Sequence, residues 1–325
     1  MRNLKTFTLL VMINRILLRI KVIQILYAYY RGEDKTYRDV ENELLFSLDK
    51  TYDLYHHLLN LAILITDYAE MRIEAGKTKF RPLPEELNPN TRFVDNLFVQ
   101  QLRNNAELNA YLKSTKLSWV HYPDIIKELY EEIVSYDFFQ EYMEETDNDL
   151  KSDKDLWRKI YKKVIASNEN LDTAIEEQSI YWANDVEIIL SFIDKTIRLF
   201  DLDLGSEQAL LPKFQDDDES LEFAKALIRG AIENGHSYRE LIDLHTQNWE
   251  LDRIAFMDIL IMEVAIAELM DFPTIPVNVT LNEYIEIAKN YSTDKSGVFI
   301  NGVLDKIVNK LKEEKKLIKA VVTKR

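Results

Sequence analysis

WELDRIAFMDILIMEVAIAELMDFPTIPVNVTLNEYIEIAKNYSTDKSGVFINGVLDKI, residues 249–307, is the stretch on which the fold turns. Ile254, Met257, Asp258, Ile261, Ala265 and Leu269 recur at steps of three and four, the spacing of one helix face, and predict a helix over 249–271. Phe272-Pro273 and Pro276 end it, since proline lacks the N–H that a continuing helix needs. Thr280 and Glu283 have capping-box spacing and open a second helix running to Tyr291, with Leu281, Tyr284, Ile285 and Ala288 facing one way. A third, near Ser296 to Lys316, turns Phe299, Val303, Ile307 and Leu311 inward, and Asn301-Gly302 reads as a point of close helix approach. Upstream, 220–234 reads as a helix stopped by Gly235, and Ser237 with Glu240 as the cap of a short helix to His245.

The same period runs back through the chain. Ile13 to Arg31 is apolar almost all round, as in a helix enclosed by neighbours. Glu41 to Ile73 carries Leu44, Leu45, Leu48, Tyr52, Tyr55, Leu58, Leu59, Ala62, Ile65 and Ala69 at helical spacing, and further helices are expected near 92–113, 123–145, 153–178 and 184–201. Leu202 to Glu219, with Gly205, Pro212 and the acidic run 216–219, reads as a solvated linker. The expected domains are therefore 12–215, 216–316 and a basic tail 317–325. With 325 residues, 46% of them apolar, the chain can bury a large core, while seven Gly and seven Pro are too few for a many-stranded sandwich. The expected class is all-α.

Net charge is −15, but residues 1–31 carry +6 and residues 306–325 another +6, leaving −27 between them. Positive charge thus sits at the two ends of an acidic chain. The opening basic-apolar segment lacks a small-residue cleavage site after Ile13, so a secretory signal is disfavoured, and Met12 competes with Met1 as the natural start. No run approaches the ~18–20 apolar residues of a membrane span, and there is no cysteine. The location expected is cytoplasmic.

Catalytic patterns are missing. Glu233 to His236 is the only Glu-x-x-His spacing, where a helical carboxylate metal site wants two. His56 and His57 read as solvated or packing residues of a long helix, and the acidic run lacks the turn glycine and spaced oxygens of a calcium loop. Neither enzyme activity nor a cofactor is expected.

The pieces of 249–307 form a series: Trp249 with Arg253, Asp258, Ala265, Glu268-Leu269, Pro276-Val277, Leu281-Asn282-Glu283, Glu286 to Lys289, and Phe299 to Asp305 with Asn301-Gly302-Val303-Leu304 inside it. Together with Phe223 to Gly230, and with Arg15, Arg19 and Gln24 to Tyr27, this series resembles the NusB family of transcription antitermination factors. The resemblance covers roughly 13–31 and 220–315 and implies two packed helical bundles, here with an N-terminal bundle enlarged by residues 35–210. It also implies a function: binding boxA-type single-stranded leader RNA of ribosomal operons together with a small-subunit ribosomal protein, and suppressing termination by the RNA polymerase elongation complex. Carried over position by position, the RNA face would be Arg15, Arg19, Tyr27, Lys289, Lys295, Ser296 and Phe299, and the partner face would include Asp258.

Departures bear on the RNA half. Ile16 and Leu17 stand where the family has further arginines, and Val298 where it has a cation, so weaker intrinsic RNA affinity is expected, with more reliance on the partner or on Lys306 to Arg325. The alternative is a helical interaction scaffold of the same fold that has lost RNA binding. A fused methyltransferase is disfavoured because no glycine-rich strand-to-helix loop exists.

Overall fold

The computed structural model describes residues 12, 14–32, 35–146, 149–213, 217–246 and 254–319. In chain order its helices are α1 (Arg15–Arg31), α2 (Tyr37–Lys77), α3 (Pro84–Leu87), α4 (Leu97–Arg103), α5 (Ala106–Thr115), α6 (Pro123–Ser135), α7 (Asp137–Glu144), α8 (Leu150–Lys163), α9 (Glu169–Gln178), α10 (Val186–Leu199), α11 (Asp217–His245), α12 (Phe256–Asp271), α13 (Val277–Tyr291) and α14 (Ser296–Glu313). No strand occurs among the described residues, and the fold is all-α.

Side-chain caps explain many of the breaks. Asn14, Asn96, Asn105, Asp149 and Asn168 each accept a hydrogen bond from a backbone N–H in the first turn of α1, α4, α5, α8 and α9, supplying a partner that the helix itself cannot. Three expected long helices are split accordingly: 92–113 at Asn105, 123–145 at Tyr136, and 153–178 by a 3-10 turn over Ile165–Ser167 followed by Asn168. The segment 202–219 is not solvated throughout, because after a 3-10 turn at Leu202–Glu207 the side chains of Gln208, Leu210 and Leu211 are buried. The acidic run opens α11, where negative charge suits the positive end of the helix.

The chain divides into two compact units. One, the middle unit, comprises Met1–Met12 and Ser47–Lys213; the other, the split unit, comprises Ile13–Phe46 and Phe214–Arg325. Residues 13–46 thus group with 214–325 and not with the rest of 12–215.

Trp157, Tyr55, Phe98 and Phe192 are among the largest fully buried side chains of the middle unit. Two of the buried polar side chains there are tied to backbone: Tyr161 Oη donates to Leu58 O at 2.9 Å and Trp119 Nε1 to His57 O at 3.0 Å. His56 and His57 are fully buried, as expected of packing residues; His56 stacks on Tyr111 with ring centroids 3.7 Å apart, and His57 on Trp119 at 4.1 Å.

The split unit is built on α12, whose residues Leu260 to Leu269 are all buried. It packs against α1, α11, α13 and α14. Here α11 runs unbroken through Gly235 to His245, so the expected stop at Gly235 and the Ser237–Glu240 cap are both overturned. The glycine serves close approach. A Cβ at Gly235 would stand 2.9 Å from Glu263 Oε1 and 3.0 Å from Tyr30 Oη. Those atoms are held, since Tyr30 donates to Glu263 and Arg239 Nε donates to Glu263 Oε2 at 2.7 Å. Burial raises the pKa of the Glu263 carboxyl, against the pull of these two donors. Gly302, by contrast, is exposed with nothing within 4 Å of such a Cβ, so no helix closes on it. Gly235→Ala is therefore expected to destabilise the protein by about 1–2 kcal/mol, the overpacking cost exceeding the helix-propensity gain. A urea midpoint at or above that of the unchanged protein would show that Glu263 can retreat.

Candidate nucleic-acid interface

α1 and α12 run in opposite directions: Arg19, early in α1, meets Glu268, late in α12, while Tyr27, late in α1, meets Phe256 at the start of α12. Nearly all of α1 from Leu17 to Leu26 is buried, in line with its all-round apolar sequence. The residues expected to bind RNA are therefore distributed along one helix. Arg15 and Tyr27 are twelve positions apart, about 18 Å along the axis.

At the leading end the cations are engaged. Arg19 is 2% exposed and grips Glu268 with two hydrogen bonds, Nε to Oε2 at 2.7 Å and NH2 to Oε1 at 2.9 Å. Glu268 also accepts from Thr280 Oγ1 at 2.9 Å and Tyr284 Oη at 3.1 Å, so its lone pairs are filled. Arg19 lies 3.7 Å from Glu283 as well. Thr280 and Glu283 hence face these inward charges and do not cap α13, which starts at Val277 behind Pro276. Arg15 is exposed and its NH2 donates to Glu219 Oε1 at 2.8 Å, with Phe223 packed under the guanidinium at 5.2 Å. Beside it Asn14, Ile16, Thr274, Ile275, Pro276 and Val279 line a shallow groove. Arg15, Arg19 and Glu283 line it as well, so the groove mixes apolar and charged walls.

At the trailing end the arrangement is different. The first turn of α12 is bracketed by α1 on one side, through Phe256 against Tyr27 at 5.5 Å, and by the α13–α14 junction on the other. That junction is held by Asp258, which accepts from Ser292 Oγ at 2.5 Å and from Ser296 Oγ at 2.9 Å. Ser296 also accepts from Thr293 N–H at 3.1 Å and so fixes the turn entering α14. Lys289 and Lys295 are exposed, and Tyr27 and Phe299 half-buried. The stem of Lys289 lies over Gly297, whose added Cβ would stand 3.0 Å from Lys289 Cγ.

Of the side chains expected from sequence, Lys295, Tyr27 and Phe299 thus stay accessible in whole or part, and Arg15 and Lys289 are accessible but paired, with Glu219 and Glu286. Arg19, Ser296 and Asp258 are buried and act within the unit, Asp258 at 6% exposure joining α12 to α13 and α14. Trp249 and Arg253 lie outside the described residues. Sequence reading passed over Phe256 and Arg31. Arg31 is exposed, and its guanidinium carbon stands 5.4 Å from the Tyr27 ring centroid and 5.1 Å from that of Phe256. An arginine one turn after a tyrosine, at a helix end, is the only signal the sequence offers for it.

Comparison with known proteins bears on the same unit. Residues 184–309 match the model of the NusB family. The match starts upstream of the stretch expected at 220–315 and does not include 13–31. The "Transcription antitermination protein NusB" of Bacillus licheniformis is 43% identical over 96 residues, 30% of this chain and 74% of that protein. The protein of the same name from Salinibacter ruber is 39% identical over 104 residues, 32% of this chain. The chain spans 65% of the length of that relative. A solved structure of T. maritima NusB aligns at 31% identity over 45% of this chain and 92% of that one, with a TM-score of 0.29.

Proposed function

As the chain belongs to the NusB family, we propose that it is a non-catalytic transcription antitermination factor. In this reading it binds boxA-type single-stranded leader RNA of ribosomal operons jointly with a small-subunit ribosomal protein, and delivers that complex to the RNA polymerase elongation complex. The observation that carries the reading is the trailing end of α1, where the Tyr27 and Phe256 rings meet at a tilt of 57° and the exposed Lys289 and Lys295 border the α13–α14 junction. Unstacked bases rest on rings while cations neutralise phosphate. Lys289, Lys295, Tyr27 and Phe299 are the proposed RNA contacts, with Arg15 able to join once it leaves Glu219. No helix among the described residues is long and apolar enough to cross a membrane.

One observation favours the scaffold alternative. The two arginines carried over to the leading end of α1 are both occupied by carboxylates, Arg19 within the buried interior. The choice is decided by titrating the full-length protein with boxA-type leader RNA at two salt concentrations, with and without the ribosomal protein. Lys289→Glu combined with Lys295→Glu is expected to weaken binding at least tenfold and to reduce the salt slope by about 1.4, each phosphate contact on a single strand contributing about 0.7. A scaffold that has lost RNA binding gives no binding at either salt concentration.

A further inference from the structure

α1 contains three arginines, and among the described residues Arg31 alone of them has no carboxylate at close range. Arg15 reaches Glu219, and Arg19 is locked on Glu268. Arg31 has no carboxylate within ion-pair distance among the described residues; the contacts of its guanidinium are the rings of Tyr27 and Phe256. Those rings are 5.5 Å apart and tilted by 57°, and the edge of Tyr30 supports Phe256 at 6.3 Å. Arg31 is exposed, so its guanidinium lies close to aromatic carbon and is at the same time open to solvent.

A planar cation backed by two rings is chemically suited to one kind of ligand. A nucleobase stacks on a guanidinium or an aromatic face whatever its sequence, and the phosphate beside it is drawn by the same charge. An acidic peptide would find the charge but leave the rings unused. We infer that Tyr27, Phe256 and Arg31 form a nucleobase-stacking subsite at the trailing end of α1. Arg31 there supplies the cation that the leading end of the helix lacks, where Ile16 and Leu17 stand beside the two engaged arginines. This rests on the RNA-binding reading above and extends it by two residues outside the family pattern, Arg31 and Phe256. It also moves the expected centre of RNA contact along α1, away from Arg15.

The test uses the full chain and a single-stranded RNA of about twelve nucleotides containing the boxA-type element, unmodified and in a series with one abasic nucleotide placed at each position in turn. Arg31→Lys keeps the charge and removes the plane; Phe256→Leu keeps an apolar side chain and removes the ring. Each is expected to weaken binding about tenfold, with the salt slope and the thermal midpoint of the protein nearly unchanged. One abasic position is expected to cost the unchanged protein a similar factor and to cost the Phe256→Leu protein almost nothing, since the two changes remove the same contact. If the unchanged protein binds but both variants bind as tightly, the subsite is wrong and the RNA reading stands. Losses that add to every abasic loss, or a fall in salt slope for Arg31→Lys, would make Arg31 a phosphate contact and overturn stacking. Absence of RNA binding by the unchanged protein overturns both readings.

Discussion

Glu268→Ala is expected to destabilise the split unit by about 3–5 kcal/mol, the cost of leaving a buried charge without its partner. Glu268 is fully buried and takes four hydrogen bonds, two from Arg19 and one each from Thr280 and Tyr284. Burial and the neighbouring carboxylate both raise the pKa of the Tyr284 hydroxyl well above the ordinary range, so it stays a donor and cannot substitute as an anion. With Glu268 gone, Glu283 at 3.7 Å is the nearest remaining acid to Arg19, and its side chain is partly solvated. Urea denaturation measures the effect. A loss under about 1 kcal/mol would mean that water or Glu283 takes over, and that Arg19 is freer to meet a ligand than its burial implies.

Acid is expected to unfold the middle unit through two adjacent rings. Burial lowers the pKa of both His56 and His57 from 6.5 to about 4, with hydrogen bonds to Tyr52 O and Gln178 Oε1 and the charge of Asp53 pulling weakly the other way. Above pH 6.5 both are neutral, folded or unfolded, and the histidines impose no pH dependence. As pH falls from 6.5 toward 4 the unfolded chain takes up protons that the folded one refuses, so stability drops. The ceiling is about 3 kcal/mol per ring. Each ring also has a buried nitrogen without a hydrogen-bond partner in the fold, Nε2 of His56 and Nδ1 of His57, which leaves an incoming proton poorly accommodated. Thermal midpoints measured across this window should fall steeply, and His57→Gln should remove about half of the dependence. A flat profile between pH 6.5 and 4.5 would show that the rings charge without unfolding.

Much of the architecture was legible from period alone. Leu44, Leu48, Tyr55, Leu58, Leu59, Ala62, Ile65 and Ala69 are all buried along α2, as their spacing requires, while Tyr52 is half-buried and Leu45, next to Leu44 and off that face, is exposed. The errors have identifiable causes. Gly235 looked like a stop because glycine weakens a helix, yet the requirement was room for Glu263 and Tyr30, residues distant in sequence. Asn105 and Asn168 are caps hidden inside continuous apolar periods, recognisable only by a side chain that can accept from a free N–H. For the site, 100° per residue correctly put Arg15 and Arg19 on one stripe. It could not say that Glu268, 249 positions away, would bury the second of them. Family matching carried Tyr27, Lys289, Lys295 and Phe299 to accessible positions but was blind to Arg31 and Phe256, which only their mutual contact in the fold brings forward.

The split unit has a consequence for how the protein is made. Its first helix emerges from the ribosome early, but α11 and α12, against which it packs, follow only after residues 47–213 have been synthesised. At about 5–20 residues per second the delay is on the order of ten to thirty seconds. Throughout that interval the greasy flank of Leu17, Leu18, Val22, Ile23 and Leu26 has no mate within its own half-built domain, which makes the nascent polypeptide a natural client for a holding chaperone.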